Sequence, residues 1–579
     1  MMFYQCILKI KMRALIIITI IFLFTQLNSQ QFIWAKRGGL WAYDYGYGIT
    51  TDNYGNVYVS GKYEMNANFS GTILPCQGNH DIFLAQYSPT GNLNWIRTAG
   101  GYTGDYATCV STDKTNFVYI AGEIEGTNAN IKFQGSPITL TCQSSNDIFL
   151  AKYTLSGNLV WAKRAGGYDY EKALGICNDA AGNVYICGLF RGSAKFGGVT
   201  TIYSSGDNDI FIAKYDANGN FLWVKKAGSS GRDEAKAIQC DANGNVYITG
   251  LYKNACSFGS QILYAPNGFF NAFVARYSPN GDLAWVKSGG GNYDDVGWGL
   301  TVDASNRIYI CGEFNATAAF GSQSIWTNGS ADVFVACYDS NGNIIWIKKA
   351  GGSGVDRARG IGSVGNKIFI TGQFAKTAYF GAYNKTAVDN SDIFMAGLDN
   401  NGNFLWLNAA GGGSDAYEDL GYESGNAICA ESNGNVYATG SMLSGASFGT
   451  NFLSSWTRTD VFVTKITTSP SQIEEVDSFS HNSLLTNQFL IDTPTTEMND
   501  DSKFKIYPNP SNGFFSIYIS DENDEVETEI YNSQGILIQR ILIQPQNEIR
   551  IDLSQRERGV YTIYFRNGNS IIRKKILIE

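Results

Sequence analysis

Two hydrophobic patterns divide this chain. Between residues 30 and 466, short runs are apolar at consecutive positions, as in Val184-Tyr185-Ile186 and Ile210-Phe211-Ile212-Ala213. A strand with one wet face alternates apolar and polar residues, so continuous runs this short predict strands covered on both faces. From Lys503 onward the alternation is strict, as in Ser516-Ile517-Tyr518-Ile519, Glu548-Ile549-Arg550-Ile551-Asp552-Leu553 and Tyr561-Thr562-Ile563-Tyr564-Phe565. With turns at Asn512-Gly513, Gln534-Gly535 and Asn567-Gly568, that stretch predicts a small antiparallel sandwich with half-exposed sheets.

The first pattern is periodic. Trp34, Trp95, Trp161, Trp223, Trp285, Trp346 and Trp406 recur at steps of 61, 66, 62, 62, 61 and 60 residues. Three more signatures keep the step. They are the glycine ending a GNVYITG-like strand (Gly61 to Gly440), the phenylalanine of an FG-like step (Phe69 to Phe448), and the phenylalanine of a DIFLAKY-like strand (Phe83 to Phe462). A constant period of this size predicts an array of units that bury their faces on one another. From Glu171, one unit reads as KALGICND, NVYICGLF, DIFIAKYD and FLWVKKAG, four strands joined by tight turns. The DxNGN turns (Asp216 to Asn220, Asp241 to Asn245) read as hairpins and lack the further carboxylates of a calcium loop.

Stacked four-stranded sheets around an axis cover both faces of every strand, and propellers hold four to eight of them. The ends of the array fit that arrangement. The first tryptophan strand, around Trp34, has no DIFLAKY strand before it, and the last such strand, around Phe462, has no tryptophan strand after it. Pairing the two removes two apolar edges. The expected fold is therefore all-β: a seven-bladed β-propeller at 30–466 whose N-terminal strand closes the last blade. A linker follows at 467–502, rich in Ser, Thr, Pro, Asn and acids, and a small Ig-like β-sandwich at 503–579.

The DIFLAKYDANGNLLW and GNVYITG patterns resemble the SBBP-type β-propeller repeat of secreted bacterial proteins, in register over residues 32–466. Asn271 departs from it where the other units open that strand with Asp, as do Asn366 to Phe369 and the long stretch around 410–422. The tail resembles the C-terminal sorting domain of the type IX secretion system of Bacteroidetes. The resemblance rests on Tyr507-Pro508-Asn509-Pro510, Gly513, Gly535, Gly559 with Tyr561, and Lys575 near the end. It implies recognition by the outer-membrane translocon, removal by the sorting peptidase, and a secreted or cell-surface destination reached through the periplasm.

Lys9, Lys11 and Arg13 precede an apolar run at 14–24, and small residues reach Ser29, so 1–29 is expected to be a cleaved signal peptide, with Met12 an alternative start. The run is too short for a stable membrane anchor. Formal charge is −9, and about −12 without the leader's three cations. An acidic chain with no basic stripe argues against a nucleic-acid partner. The eleven cysteines include no CxxC pair, which leaves zinc without support. Cys177, Cys240 and Cys429 fall in one strand of the repeat and read as small buried residues rather than disulfide partners.

Catalytic chemistry finds little to work with. The only histidines are His80 and His481. His80 is expected on a surface loop and His481 in the linker, so no nucleophile–histidine site assembles. One acid recurs in every unit, five residues before the centre of the first strand: Asp44, Asp105, Glu171, Asp233, Asp295, Asp356 and Glu423. As a shared anionic rim these would hold a divalent cation or steer a basic ligand. As loop caps each would accept backbone amides, and sevenfold repetition is what a fold requirement produces. Capping is the expected role, with no catalytic residue, metal or cofactor. The expected function is a non-enzymatic binding or scaffold protein with an extracellular protein or glycan ligand. The alternative is a glycan-active hydrolase using the loop carboxylates Asp415, Glu418 and Asp419.

Overall fold

The computed structural model describes residues 30–143, 145–412, 423–443, 445–455 and 458–467, with seven short stretches between 504 and 578. The leader, most of the linker with His481, and Asp415, Glu418 and Asp419 lie outside the described residues. The chain divides into two compact units, Met1–Val476 and Asp477–Glu579.

In the first unit the four-strand reading holds sheet by sheet. Glu171–Asn178, Val184–Phe190, Asp209–Tyr215 and Phe221–Ala227 form one antiparallel meander in that order. Every residue of its two middle strands is buried, as their continuous apolar runs require. Six such meanders run from Tyr45–Thr51 to Phe404–Ala410. A further one is assembled from both ends of the array: Ser424–Ala430, Asn435–Leu443 and Thr459–Thr467 are followed by Gln31–Leu40. Thr464 donates its hydroxyl to Trp34 O at 2.9 Å within that pairing. Thr467, assigned from sequence to the linker, ends the third of these strands. No individual sheet closes on itself.

Neighbouring meanders are joined at three levels. The first strands lie against one another in chain order, and Ser424–Ala430 returns to Tyr45–Thr51, with Asn426 Nδ2 donating to Gly46 O at 2.9 Å. Each FG-like hairpin pairs back onto the end of the preceding tryptophan strand, as in Gly38↔Phe69, Ala99↔Phe133 and Gly289↔Phe320. Its phenylalanine meets the DIFLAKY phenylalanine of its own unit, with ring centroids 4.8 Å apart for Phe69 and Phe83. Farther out, the tryptophans tie each sheet to the next. Trp34, Trp95, Trp161, Trp223, Trp285 and Trp346 donate Nε1–H to a turn carbonyl of the following unit at 3.0–3.3 Å.

The glycine that ends each GNVYITG strand has a steric reason. A Cβ on Gly61, Gly122, Gly188, Gly250, Gly312, Gly372 or Gly440 would stand 1.8–1.9 Å from a carbonyl oxygen of the adjacent first strand. Each first strand carries a bulge there, which presses its backbone onto the partner.

Two expectations change. His80 is not on a loop: it sits in the strand Thr72–Tyr87, packed on the Tyr106 ring at 4.2 Å. Cys177 and Cys240 form a disulfide, with Cα atoms 6.2 Å apart. The expectation of small buried residues without a bridge fails because the first strands converge. They are also staggered by one position, so that a Cβ on Gly175 would lie 3.0 Å from Ile238 N, and the stagger brings Cys240 beside Cys177. Cys76, Cys109, Cys187, Cys256, Cys311, Cys337 and Cys429 are free thiols.

The second unit holds two antiparallel sheets. Phe504–Tyr507, Phe514–Ile519 and Glu548–Asp552 form one, and Leu537–Ile543, Val526–Tyr531, Gly559–Asn567 and Ser570–Ile578 the other. Phe515, Ile517 and Ile551 share a core with Ile530, Ile563, Phe565 and Ile576.

The disulfide spans 63 residues, for which chain-entropy reasoning gives a stabilisation on the order of 4 kcal/mol. Replacing Cys177 and Cys240 together by Ser is expected to lower the chemical-denaturation midpoint accordingly. An unchanged midpoint would mean that packing between the two strands already supplies the constraint.

Candidate functional site

All seven recurring acids are buried to at most 1 % exposure, and each accepts backbone amides. In six of them one carboxyl oxygen takes the amide four residues earlier, at the end of the preceding tryptophan strand. The donors are Leu40, Gly101, Gly167, Ser229, Gly291 and Gly352 at 2.6–3.3 Å. In Asp44, Asp105, Asp233, Asp295, Asp356 and Glu423, an oxygen takes an amide about twenty residues later, at the end of the second strand. Those donors are Glu64, Glu125, Lys253, Asn315, Ala375 and Leu443 at 2.8–3.3 Å. The carboxyl thus fixes the crossing from one sheet to the next.

A second acid stands at the same junction. Asp81, Asp147, Asp209, Asp332 and Asp392 open the DIFLAKY-like strands. Each accepts one amide through Oδ2, and each Oδ1 is buried without a hydrogen-bond partner. The two acids meet over a glycine five residues after the tryptophan at Gly39, Gly166 and Gly351. A Cβ on Gly166 would lie 2.1 Å from Asp147 Oδ1 and 2.8 Å from Glu171 Oε2. At Gly351 the same distances to Asp332 Oδ1 and Asp356 Oδ2 are 2.6 and 2.8 Å. These glycines also adopt φ of +153° and +144°, which disfavours a side chain on its own. Asn271 supplies an amide beside Asp295 where the other units have an acid.

Burial dominates the protonation of these groups. It pushes the carboxyls of Asp44, Asp105 and Glu171 up to about 8, with Asp460, Asp81 and Asp147 adding like-charge repulsion. Asp295 and Asp356 rise to about 7. Asp389, Asp392 and Glu423 bring carboxylate oxygens within 4.8 Å of one another, a variant of the same junction with one more acid. The DxNGN turns consume their own acids: Asp216 accepts from Asn218 N, Asn220 N and Asn220 Nδ2 at 2.8–2.9 Å.

None of the seven acids lines the cavity enclosed by the first strands. That cavity, about 930 Å³, is lined by the first strands of all seven meanders. Its wall varies most at one register, three residues beyond each recurring acid: Tyr47, Thr108, Leu174, Lys236, Trp298, Arg359 and Asn426. Lys236 lies 4.7 Å and Arg359 5.3 Å from the Trp298 ring centroid. Trp298 Nε1 donates to Glu313 Oε1 at 3.1 Å, and Glu313 Oε2 takes Arg357 Nε at 2.5 Å. Glu234 pairs with both Lys236 and Arg232. Burial pulls the Lys236 and Arg359 cations down from their ordinary values.

Two positions toward the N-terminal ends of the strands lies a charged and aromatic layer. Lys172 pairs with Glu123 at 2.5 Å and Lys62 with Glu64 at 3.0 Å, and both ammonium groups lie 5.0 Å from the centre of the Tyr106 ring. Burial, with Lys62 and Lys172 nearby, holds His80 neutral, its imidazole lowered to about 4. Sequence reasoning missed this whole wall. Its signal was present as first-strand registers where charge, aromaticity and size change from unit to unit, one and three residues after each recurring acid.

Of the sorting residues, Tyr507 ends a strand, Gly559 and Tyr561 lie in Gly559–Asn567, and Lys575 pairs with Thr562. Tyr561 is buried. Pro508, Asn509, Pro510, Gly513 and Gly535 lie outside the described residues.

Repeated four-stranded meanders with an appended two-sheet unit define a class: exported β-repeat proteins. Comparison with known families places the chain within it. Residues 25–62 match the β-propeller repeat family SBBP, and residues 505–579 match the secretion system C-terminal sorting domain. The chain carries both, and its sorting domain makes it a secreted or cell-surface protein handled by the type IX secretion system. It is 27 % identical over 34 % of its length to an uncharacterised WD repeat-containing protein of Acanthamoeba polyphaga mimivirus. It is 26 % identical over 28 % of its length to the regulatory protein FlaEY of Caulobacter vibrioides. The matches span 17 % of each relative. No helix among the described residues is long and apolar enough to cross a membrane.

The raised carboxyls set a pH dependence. Unfolded, they release protons near pH 4; folded, Asp44, Asp105 and Glu171 keep them to about pH 8. The folded state therefore binds more protons in between, so their contribution is fully present below pH 4 and is lost as pH rises toward 8. Thermal melts are expected to show higher stability at pH 5 than at pH 8. Asp332→Asn, which copies the Asn271 junction, is expected to fold and to flatten that slope. A melting temperature independent of pH across this window would contradict the raised carboxyls.

Proposed function

We propose that residues 31–467 form a seven-bladed β-propeller, closed by the pairing of Gln31–Leu40 with Thr459–Thr467, and that it acts outside the cell as a non-enzymatic binding protein. On this reading a leader is removed, the chain crosses the periplasm, and the tail is recognised by the translocon and cut by the sorting peptidase. The observation that carries the binding role is the contrast within the first strands. The junction acids repeat from unit to unit, while the cavity wall three residues on changes to Tyr47, Lys236, Trp298 and Arg359. Fold requirements produce repetition, and a binding surface has reason to depart from it.

The commitment of the nearby carboxylates favours binding over catalysis. Glu234, Glu313 and Glu123 are each engaged by cations, and the junction acids hold backbone amides, so none of these is placed as a distinct acid and base pair. The seven acids are read as staples of the fold, and neither metal nor cofactor is part of this function.

Two measurements test the proposal. Removing residues 503–579 is expected to leave a folded propeller inside the cell envelope, while the full chain appears outside; normal export of the truncated chain would refute the role of the tail. The secreted protein is expected to retain ligands from a glycan and protein panel without turnover. Release of products from labelled polysaccharides would move the function to a hydrolase built on Asp415, Glu418 and Asp419.

A further inference from the structure

Arg359 stands in the cavity wall against Trp298, and no carboxylate among the described residues forms an ion pair with it. The two nearest carboxylates are used up: Glu234 by Arg232 and Lys236, and Glu313 by Arg357 and Trp298. Arg359 Nε is buried with no hydrogen-bond partner, and its guanidinium lies against the Trp298 ring. A buried donor left unsatisfied is costly, and more so when it is charged. Nothing about the fold calls for an arginine here, since the same register holds Thr108, Leu174 and Asn426 in other units. Tyr47 and Lys236 line the same cavity.

We propose that this cavity binds a small molecule through a carboxylate, which Arg359 receives with Trp298, Lys236 and Tyr47 around it. The inference rests on the binding-protein reading and names the ligand class of the same cavity. The guanidinium fork matches a carboxylate in two parallel hydrogen bonds. Arg232, Lys236, Arg357 and Arg359 stand against Glu234 and Glu313, so positive charge is left over for the ligand's carboxylate to neutralise. The volume of about 930 Å³ suits a molecule of mono- or disaccharide size. An acidic sugar and the carboxyl terminus of a short peptide present the same group.

Isothermal titration of the full secreted chain with glucuronate, N-acetylalanine, glucose and inorganic phosphate at constant ionic strength decides it. One or both carboxylates are expected to bind, and which one does identifies the source; glucose is expected to give no heat, and phosphate to bind more weakly than the carboxylate. Arg359→Gln is expected to weaken carboxylate binding by about tenfold or more, the loss of a charged hydrogen-bond pair. Arg359→Lys, which keeps the charge and loses the fork, is expected to fall between, and it remains informative if the Gln variant fails to fold in a thermal melt. No heat from either carboxylate at about 10 mM, far above the affinities of built sites, would overturn the proposal. So would equal affinity in the folded Arg359 variants. Neutral glycan binding that survives Arg359→Gln would end this proposal and leave the binding-protein reading intact, whereas polysaccharide turnover would end that reading itself.

Discussion

The array depends on a carboxyl buried where one sheet hands over to the next. Asp44 and its counterparts sit at a point where three backbone segments converge: the end of one tryptophan strand, the start of the next first strand and the end of its neighbour. Amides left over at such a crossing have no ladder to join, and burying them unsatisfied is costly. One side chain with two acceptor oxygens serves two of them at once. The second acid of the pair turns this economy into a constraint. Asp332 and Asp356, or Asp147 and Glu171, occupy the space a Cβ would need, so the chain there must be glycine. Each carboxyl of such a pair adds like-charge repulsion to the burial that already raises Asp356 and Glu171. Asn271 is consistent with that chemistry, since an amide is the nearest neutral mimic of a protonated acid.

Around those junctions the remaining packing is apolar and repetitive. Strands buried on both faces supply most of the free energy of folding, but they carry little information about alignment, because one apolar strand slides readily on another. The polar contacts supply the alignment. Six of the seven repeat tryptophans pack the ring beside their own sheet and reach a turn carbonyl in the next, so that a slip by one residue would cost both the packing and the bond.

Much of this was legible in the sequence because it repeats. A period near 61 residues, the two phenylalanine signatures and the complementary ends of the array located the strands. The meander formed by Gln31–Leu40 with Thr459–Thr467 followed from counting strands at each end. The repeated acids were visible too, with amide acceptance as the expected role. The partnership with Asp81 and its counterparts was not, because it joins residues of different units through a radial geometry that linear spacing does not encode. The same geometry hid the Cys177–Cys240 disulfide, which depends on a one-residue stagger between converging strands. His80 was misplaced because Gln-Gly-Asn-His reads as a loop, while the long hairpin Val57–Phe69 with Thr72–Tyr87 carries it into a strand.

The cavity wall was hidden for a different reason. Searching for repetition trains attention on positions that stay the same, and a binding site in a repeat protein lies where they change. The first strand separates the two demands within a few residues. Its leading acid faces the junction, where every unit must solve the same backbone problem, and substitution there disturbs two sheets. Three residues later the side chain lines the cavity, and although Thr108 and Asn426 bond a carbonyl of the neighbouring first strand there, Leu174 shows that the fold does not require such a bond. Thr108, Leu174 and Asn426 fill that register as adequately for the fold as Lys236, Trp298 and Arg359 do. A cation there without a carboxylate of its own is therefore a cost that the fold does not impose, and it finds its physical reason in what enters the cavity.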